Sequence, residues 1–488
     1  MKNISLSFLF FLLTATLGFS QVEFDRYFKD KTLRIDYHHS GNATSETIEL
    51  DSVYSYGIWA GSKVNLIDEF DYGQLRFKIV DKESQKLIYS KGFDTYFKEY
   101  QTTEAAIAGE SKSYYEVALS PYPLKPFYFV LEKRDSINQF EEFFRTELNP
   151  DSNISDLKLD DKSVKVTASF LSGTPDKKVD ILIIGDGYTA SEMDKFESDL
   201  ARATVDFFEV EPLKSLSDRF NVRGVFKPSE ESGVTEPDNN IVRKTALNST
   251  FGSLGTDRYL LTEDLKSVHD LAAYAPSDAI VIMVNSQRYG GGGIYNFYST
   301  FTSDNISSAF LFVHEFGHSF FGLGDEYYSS STSYTDFYPK GIEPLAPNIT
   351  ANTDKETLKW KHLLTEPIDI PTYWPQAAYD SSQAASQAKS RALHAEIDEL
   401  IKAKAPTERI NSKKAELHHS NTTQLNFERS ILTDSRYAGK VGAFEGAGYA
   451  AEDLYRPSIT CIMLTREKHF CPVCADAMIK MIDSVSKH

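Results

Sequence analysis

Hydrophobic and polar positions alternate in short runs over roughly the first third of the chain. Thr32–Tyr37, Gln74–Val80, Leu87–Tyr89, Tyr114–Ala118, Phe127–Glu132 and Val164–Phe170 carry the β-forming residues and short turns of half-buried strands. Strands this short and this closely spaced predict a β-sandwich over residues 21–171. Pro121–Pro126 suits an edge or a loop, because proline cannot donate to a sheet ladder. Ser172-Gly173-Thr174-Pro175-Asp176 reads as a linker.

Beyond it the pattern changes. Lys178–Ile184, Phe220–Phe226 and Ala279–Asn285 are continuous apolar runs, as in strands buried on both faces of a mainly parallel sheet. The first run ends in Gly185-Asp186-Gly187, and Thr189 is placed to cap a helix reaching Phe207. An α/β domain over residues 177–488 is therefore expected, making the chain a two-domain α+β protein. Within it, about residues 376–436 are rich in Ala, Gln, Ser, Lys and Glu, which predicts a helical insertion broken at Pro406 with a solvated face.

Residues 1–21 place one lysine before an apolar run and then small residues, the pattern of a secretory signal peptide cleaved near Ser20–Gln21. A secreted, periplasmic or extracellular location follows. No later run approaches the length of a membrane span. With 52 basic against 70 acidic residues in 488 and a formal charge of −18, the chain is a poor partner for nucleic acid or an anionic membrane. No oligomer signal is visible.

Chemistry concentrates in Phe301–Tyr328. Asp304 or Ser303 is a candidate cap for a helix whose apolar positions include Phe310, Val313, Gly317 and Phe320. On that helix His314 and His318 stand four apart, so both imidazoles leave one face, and Glu315 lies beside them. This H-E-x-x-H pattern predicts two histidine ligands to Zn2+ and a glutamate that polarises the metal's water as general base, then protonates the leaving amine. A catalytic zinc needs a third ligand and an open position. Asp325, seven residues after His318, is the first candidate and Glu326 the second. On an unbroken helix Asp325 would lie about 10 Å too far along. Gly322 and Gly324 allow the chain to turn back.

The segment HEFGHSFFGLGDEYY resembles the zinc motif of the bacterial IgA-peptidase family of secreted metallopeptidases. Asp180–Tyr188, Pro228–Gly233, Asn285–Asn296, Gly442–Pro457, Cys461-Ile462-Met463 and Phe470-Cys471-Pro472-Val473-Cys474 resemble the same family, over about residues 178–485. The resemblance implies a zincin-like, metzincin-type catalytic domain, and a zinc endopeptidase acting on protein or peptide. It extends to the β-rich segment as the family's N-terminal domain. Metzincins place a glycine three and the third ligand six residues after the second histidine, whereas Gly322 and Asp325 fall at four and seven. Met463 would form the methionine turn under the ligands. Cleavage of immunoglobulin A does not follow, because specificity lies in pocket loops rather than in the zinc motif.

Gly291, Gly292 and Gly293 follow a predicted strand and suit close approach of an extended substrate backbone. Oxyanion donors remain open among Tyr327, Tyr328, Tyr449, Tyr455 and Arg456. Three cysteines in an oxidising compartment favour one disulfide and a leftover thiol over a redox pair or a three-thiolate metal site. The competing class is a non-catalytic surface binding or adhesion protein with a structural metal. An intact Glu315 speaks against it.

Overall fold

The computed structural model describes residues 22–328, 338–433, 436–466 and 468–486. The signal peptide expected over residues 1–20 lies outside them. Eight strands come first: β1 (Phe28–Gly41), β2 (Glu46–Tyr56), β3 (Leu75–Asp81), β4 (Leu87–Phe93), β5 (Lys112–Pro123), β6 (Phe127–Arg134), β7 (Phe140–Leu148) and β8 (Ser155–Asp156). They form two four-stranded sheets, ordered β5-β1-β2-β8 and β4-β3-β6-β7. Alternate residues of both feed one core: Leu33, Ile35 and Tyr37 from β1 meet Phe77 and Ile79 from β3 and Phe129 and Leu131 from β6. The prolines of Pro121–Pro123 close β5, which is an edge strand. The last predicted strand behaves otherwise. β9 (Lys165–Phe170) pairs antiparallel with Phe220–Phe226 of the following sheet and not with the first two. Its half-exposed residues give it no claim on the first core, while an unpaired sheet edge lies next to it.

That following sheet has the order β13-β14-β12-β10-β11-β9, with β10 (Val179–Asp186), β11 (Phe220–Phe226), β12 (Ala279–Val284), β13 (Gly291–Ile294) and β14 (Tyr298–Thr302). β10, β11, β12 and β14 run parallel, flanked by antiparallel β9 and β13. The continuous apolar run of β10 now has its reason. Ile181 and Ile183 point into one core with Phe196, Phe207 and Phe316, while Leu182 and Ile184 point into a second with Val268 and Ile282. Helices Met193–Phe207, Ser308–Ser319 and Pro472–Ser486 cover the first face, and Leu265–Ala272 covers the second. Tyr96, Phe97 and Tyr100 from the N-terminal part also pack on the second face. The chain is thus a mixed α/β protein with several separate sheets, consistent with a two-domain α+β arrangement.

Thr189 caps a short 3-10 turn that leads into helix Met193–Phe207, with Glu192 closing the reciprocal capping pair. Asp186, at the carboxyl end of β10, gathers the loops there. It accepts from the amides of Gly187, Leu247 and Ser249, each at 3.0 Å. The insertion forms two antiparallel helices, Gln376–Lys402 and Thr407–Leu432, parted at Pro406, and β15 (Phe444–Ala447) with β16 (Ala450–Arg456) follows. Among the described residues no helix is long and apolar enough to cross a membrane.

Candidate metal centre

The motif helix starts at Ser308, later than a cap at Ser303 or Asp304 implies, because Tyr298–Thr302 is strand β14. Ser308 Oγ donates to the carbonyls of Thr302 and Ser303 and fastens the helix start to that strand. His314 and His318 leave the same face. Gly322 adopts φ +64°, the left-handed conformation that glycine tolerates, and reverses the chain. Asp325 thereby returns to the histidines. Its Oδ1 lies 3.1 Å from His314 Nε2 and 3.2 Å from His318 Nε2, and the two Nε2 atoms are 3.2 Å apart.

Each imidazole is oriented from behind. His314 Nδ1 donates to the Ile462 carbonyl at 3.1 Å and His318 Nδ1 to the Leu323 carbonyl at 2.6 Å. With Nδ1 carrying the proton, each Nε2 aims a bare lone pair at the same point. Three electron-rich atoms at this separation repel unless a cation or proton sits among them. Asp325 Oδ1 is buried and, among the described residues, accepts no hydrogen bond. Tetrahedral ligands at 2.0–2.1 Å from an ion stand about 3.3 Å apart. The trio fits a small divalent cation.

The same attraction for positive charge shows in the protonation of the trio. Burial disfavours a charged His318, but the Asp325 carboxylate outweighs it and brings the imidazole up to about 9. Burial would raise Asp325, yet the two histidines hold it well below the usual carboxylate range. For Glu315 burial wins: its carboxyl is pushed up despite the pull of His314, His318 and Arg258.

Around the trio opens a cleft of about 1170 Å³. Glu315, Arg258, Tyr327 and Tyr449 line it, together with Tyr72, Asp94 and Asn138 of the N-terminal part. The helical insertion supplies a polar wall through Gln387, Arg391, His394 and Gln424, where the sequence suggested only a solvated face. Among the tyrosines, Tyr449 donates to Asp325 Oδ2. Tyr327 lies parallel to the His314 ring at 6.4 Å, and Arg258 Nη2 donates to its hydroxyl at 3.3 Å. Tyr328 instead pairs with Asp380, and buried Arg456 donates to the carbonyls of Glu445 and Gly446. Neither they nor Tyr455 border the cleft.

Gly291 and Gly293 line the cleft on edge strand β13, whereas Gly292 faces the other way, toward Tyr259 and Leu261. The motif helix requires the first two to be small. A Cβ at Gly293 would stand 2.4 Å from the Glu315 carbonyl, and one at Gly291 3.1 Å from Glu315 Oε1. Met463 lies beneath the helix, with Sδ 2.9 Å from where a Gly317 Cβ would be. Glu326 does not reach the histidines. It turns to the opposite side, and its amide donates to the Met463 carbonyl at 2.8 Å.

Two contributors escaped the sequence. Asn348 holds the loop that carries Asp325 by pairing both the amide and the carbonyl of Gly324 at 2.8 Å. Arg258 comes from a distant loop, and no spacing rule connects either residue to the motif.

Residues 170–482 match the family model described as IgA Peptidase M64, and residues 23–145 match that of the Peptidase M64 N-terminus. The chain belongs to the IgA peptidase M64 family, and so to the metallopeptidases, whose substrates are proteins. Among curated proteins none matches it.

Proposed function

We propose that the protein is a secreted zinc-dependent endopeptidase. The observation that carries the reading is the triangle of His314 Nε2, His318 Nε2 and Asp325 Oδ1, open to a cleft beside Glu315. These three residues would hold the ion. Bound there, zinc supplies Lewis acidity that brings a coordinated water near neutral pKa and polarises a peptide carbonyl. Glu315, whose carboxyl burial already raises, takes the water's proton and delivers it to the leaving amine. Tyr327, tuned by Arg258, is a hydroxyl donor within the cleft for the developing oxyanion, the Tyr449 proton being given to Asp325.

A metzincin-type arrangement is supported by the antiparallel edge strand over the motif helix, the third ligand after a glycine turn, and Met463 below. The one-residue displacement of glycine and ligand is absorbed in the Gly322–Gly324 turn. Edge strand β13 offers the backbone of Gly293 to an extended substrate, while the Gly291 carbonyl already accepts from the Leu260 amide. We assign the N-terminal sheets to a sandwich domain that builds one rim of the cleft, with the helical insertion as the facing wall. The apolar run at residues 1–20 supports secretion.

The test compares the purified chain with Glu315→Gln on denatured protein and on peptides, with and without chelator. Chelator-sensitive turnover is expected, falling about 10²–10⁴-fold in the variant. Zinc binding with no turnover beyond that of Glu315→Gln would refute the assignment. Cleavage that survives blocking of the substrate's N-terminus separates an endopeptidase from an aminopeptidase.

A further inference from the structure

One residue beyond Asp325 the chain enters a second polar pocket. Glu326 is fully buried there, as are Cys461, Cys471 and Cys474. Glu326 Oε1 lies 3.1 Å from Cys474 Sγ and 3.9 Å from Cys471 Sγ, and Cys461 Sγ lies 3.7 Å from Cys474 Sγ. All four donor atoms fall within 4.8 Å of one another. The expected disulfide is not formed: the three cysteines are free thiols. None of the four residues borders the cleft.

We propose that Glu326, Cys461, Cys471 and Cys474 form a second, closed metal site that takes a structural zinc ion. Four donors with no open position are the composition of a structural zinc centre, and thiolates select soft or borderline cations over calcium or magnesium. Sulfurs held tetrahedrally at 2.3 Å from zinc stand about 3.8 Å apart, close to the Cys461–Cys474 separation. The surrounding groups suit thiolates. The amide of Cys471 points at Cys461 Sγ at 3.3 Å and that of Cys474 at Cys471 Sγ at 3.4 Å, where helix Pro472–Ser486 begins. Asn348 Nδ2 donates to Glu326 Oε1 at 3.0 Å, while Glu326 Oε2 is buried and, among the described residues, has no partner. A disulfide would consume two sulfurs and leave a buried thiol and that oxygen unanswered. A cation engages all four side chains, and the thiol protons leave to solvent.

The position gives the ion a task. Cys461 precedes Ile462, whose carbonyl orients His314, and Met463, which supports Gly317. Glu326 follows Asp325. An ion at this point joins the turn under the histidines to the loop bearing their carboxylate partner, so it acts on the first centre by positioning.

The experiment uses the full chain loaded with zinc and dialysed. Wild type is expected to hold two zinc ions per chain, and His314→Ala/His318→Ala one. The histidine variant reloaded with cobalt(II) should keep the near-ultraviolet sulfur-to-cobalt charge-transfer absorption, which imidazole and carboxylate ligands do not give. Glu326→Gln and Cys471→Ser/Cys474→Ser should weaken or abolish that absorption. If the cysteine pair fails to fold, the histidine variant alone still decides. A metal-free histidine variant without the absorption, or a disulfide among the three cysteines found by alkylation and mass measurement without reduction, overturns the proposal. An inactive wild type that holds both ions would refute the peptidase reading and leave this site standing.

Discussion

Tyr449 donates its hydroxyl to Asp325 Oδ2, so that Oδ1 alone is left facing His314 and His318. Tyr449 takes a left-handed backbone conformation, φ +66°, in the tight turn between β15 and β16. The turn's geometry is thus coupled to the orientation of Asp325, a proposed ligand carried on another segment. Tyr449→Phe is expected to lower zinc affinity about 10–100-fold, as loss of a partner behind a metal ligand does elsewhere. Competition with a chromogenic chelator measures it. A variant with unchanged affinity and a reduced kcat would show instead that Tyr449 serves the substrate.

Gly293 sits against the peptide between the two histidines. A methyl group there would meet the Glu315 carbonyl at 2.4 Å and the His318 Cβ at 3.0 Å, and both belong to a helix packed on its other side against Phe207. Neither strand nor helix has room to retreat. Gly293→Ala is expected to cost about 1–3 kcal/mol of stability, the range for overpacking a filled core, and to reduce zinc affinity as the helix shifts. Chemical denaturation of both proteins with metal removed isolates the first effect. Equal midpoints and slopes would contradict the packing argument.

These relationships differ in how far the sequence discloses them. His314, Glu315 and His318 are legible because helical periodicity alone places them on one face. Asp325 is legible only through Gly322, whose left-handed turn is what brings it back. Tyr449, Arg258 and Asn348 are not, since tertiary folding alone sets their place. Strands β2 and β7 escape the hydrophobic pattern because many of their residues face solvent. β13 escapes because its Gly-Gly-Gly-Ile sequence has turn composition and becomes a strand by packing against the motif helix. The polar insertion reads as a solvated hairpin. Its helices do expose most of their surface, but part of one side closes the cleft.

That placement predicts that the hairpin influences substrate choice. Its base is fixed by Tyr379 and Leu432, which pack with Trp374, Phe444 and Ile459, so the distal part can be shortened without opening the core. Ser382 Oγ donates to Gln424 at 3.1 Å, which shows where the two helices can be rejoined. Replacing residues 385–422 by a short glycine-serine turn is expected to raise KM about tenfold for long substrates, while metal content and kcat on short peptides stay within about twofold. Steady-state kinetics across a length series checks this. A KM that rises equally for short and long substrates would place the effect at the metal rather than at the wall.

Outside the lining of the cleft, His39 joins three strands through charge. Its Nε2 lies 2.9 Å from Glu46 on β2 and its Nδ1 3.1 Å from Glu116 on β5, with the ring stacked on Phe97 at 3.9 Å. Burial disfavours the imidazolium, but Glu116 and Glu46 outweigh it and raise the histidine above its ordinary 6.5. Burial would likewise raise Glu46, yet His39, Lys98 and Lys133 bring it down to about 2 from 4.5. The signs then fix a window. The histidine's contribution is complete below pH 6.5 and is lost as pH rises through its raised folded value. The glutamate's contribution is complete above pH 4.5 and is lost as pH falls toward about 2. His39→Gln should therefore lower Tm most between pH 4.5 and 6.5, with the difference from wild type shrinking on both sides. Thermal melts of both proteins from about pH 3 to 9, with zinc removed so that the metal centre does not contribute its own protons, measure that difference. A difference that stays constant across the range would mean that His39 stabilises by packing on Phe97 and not by its charge.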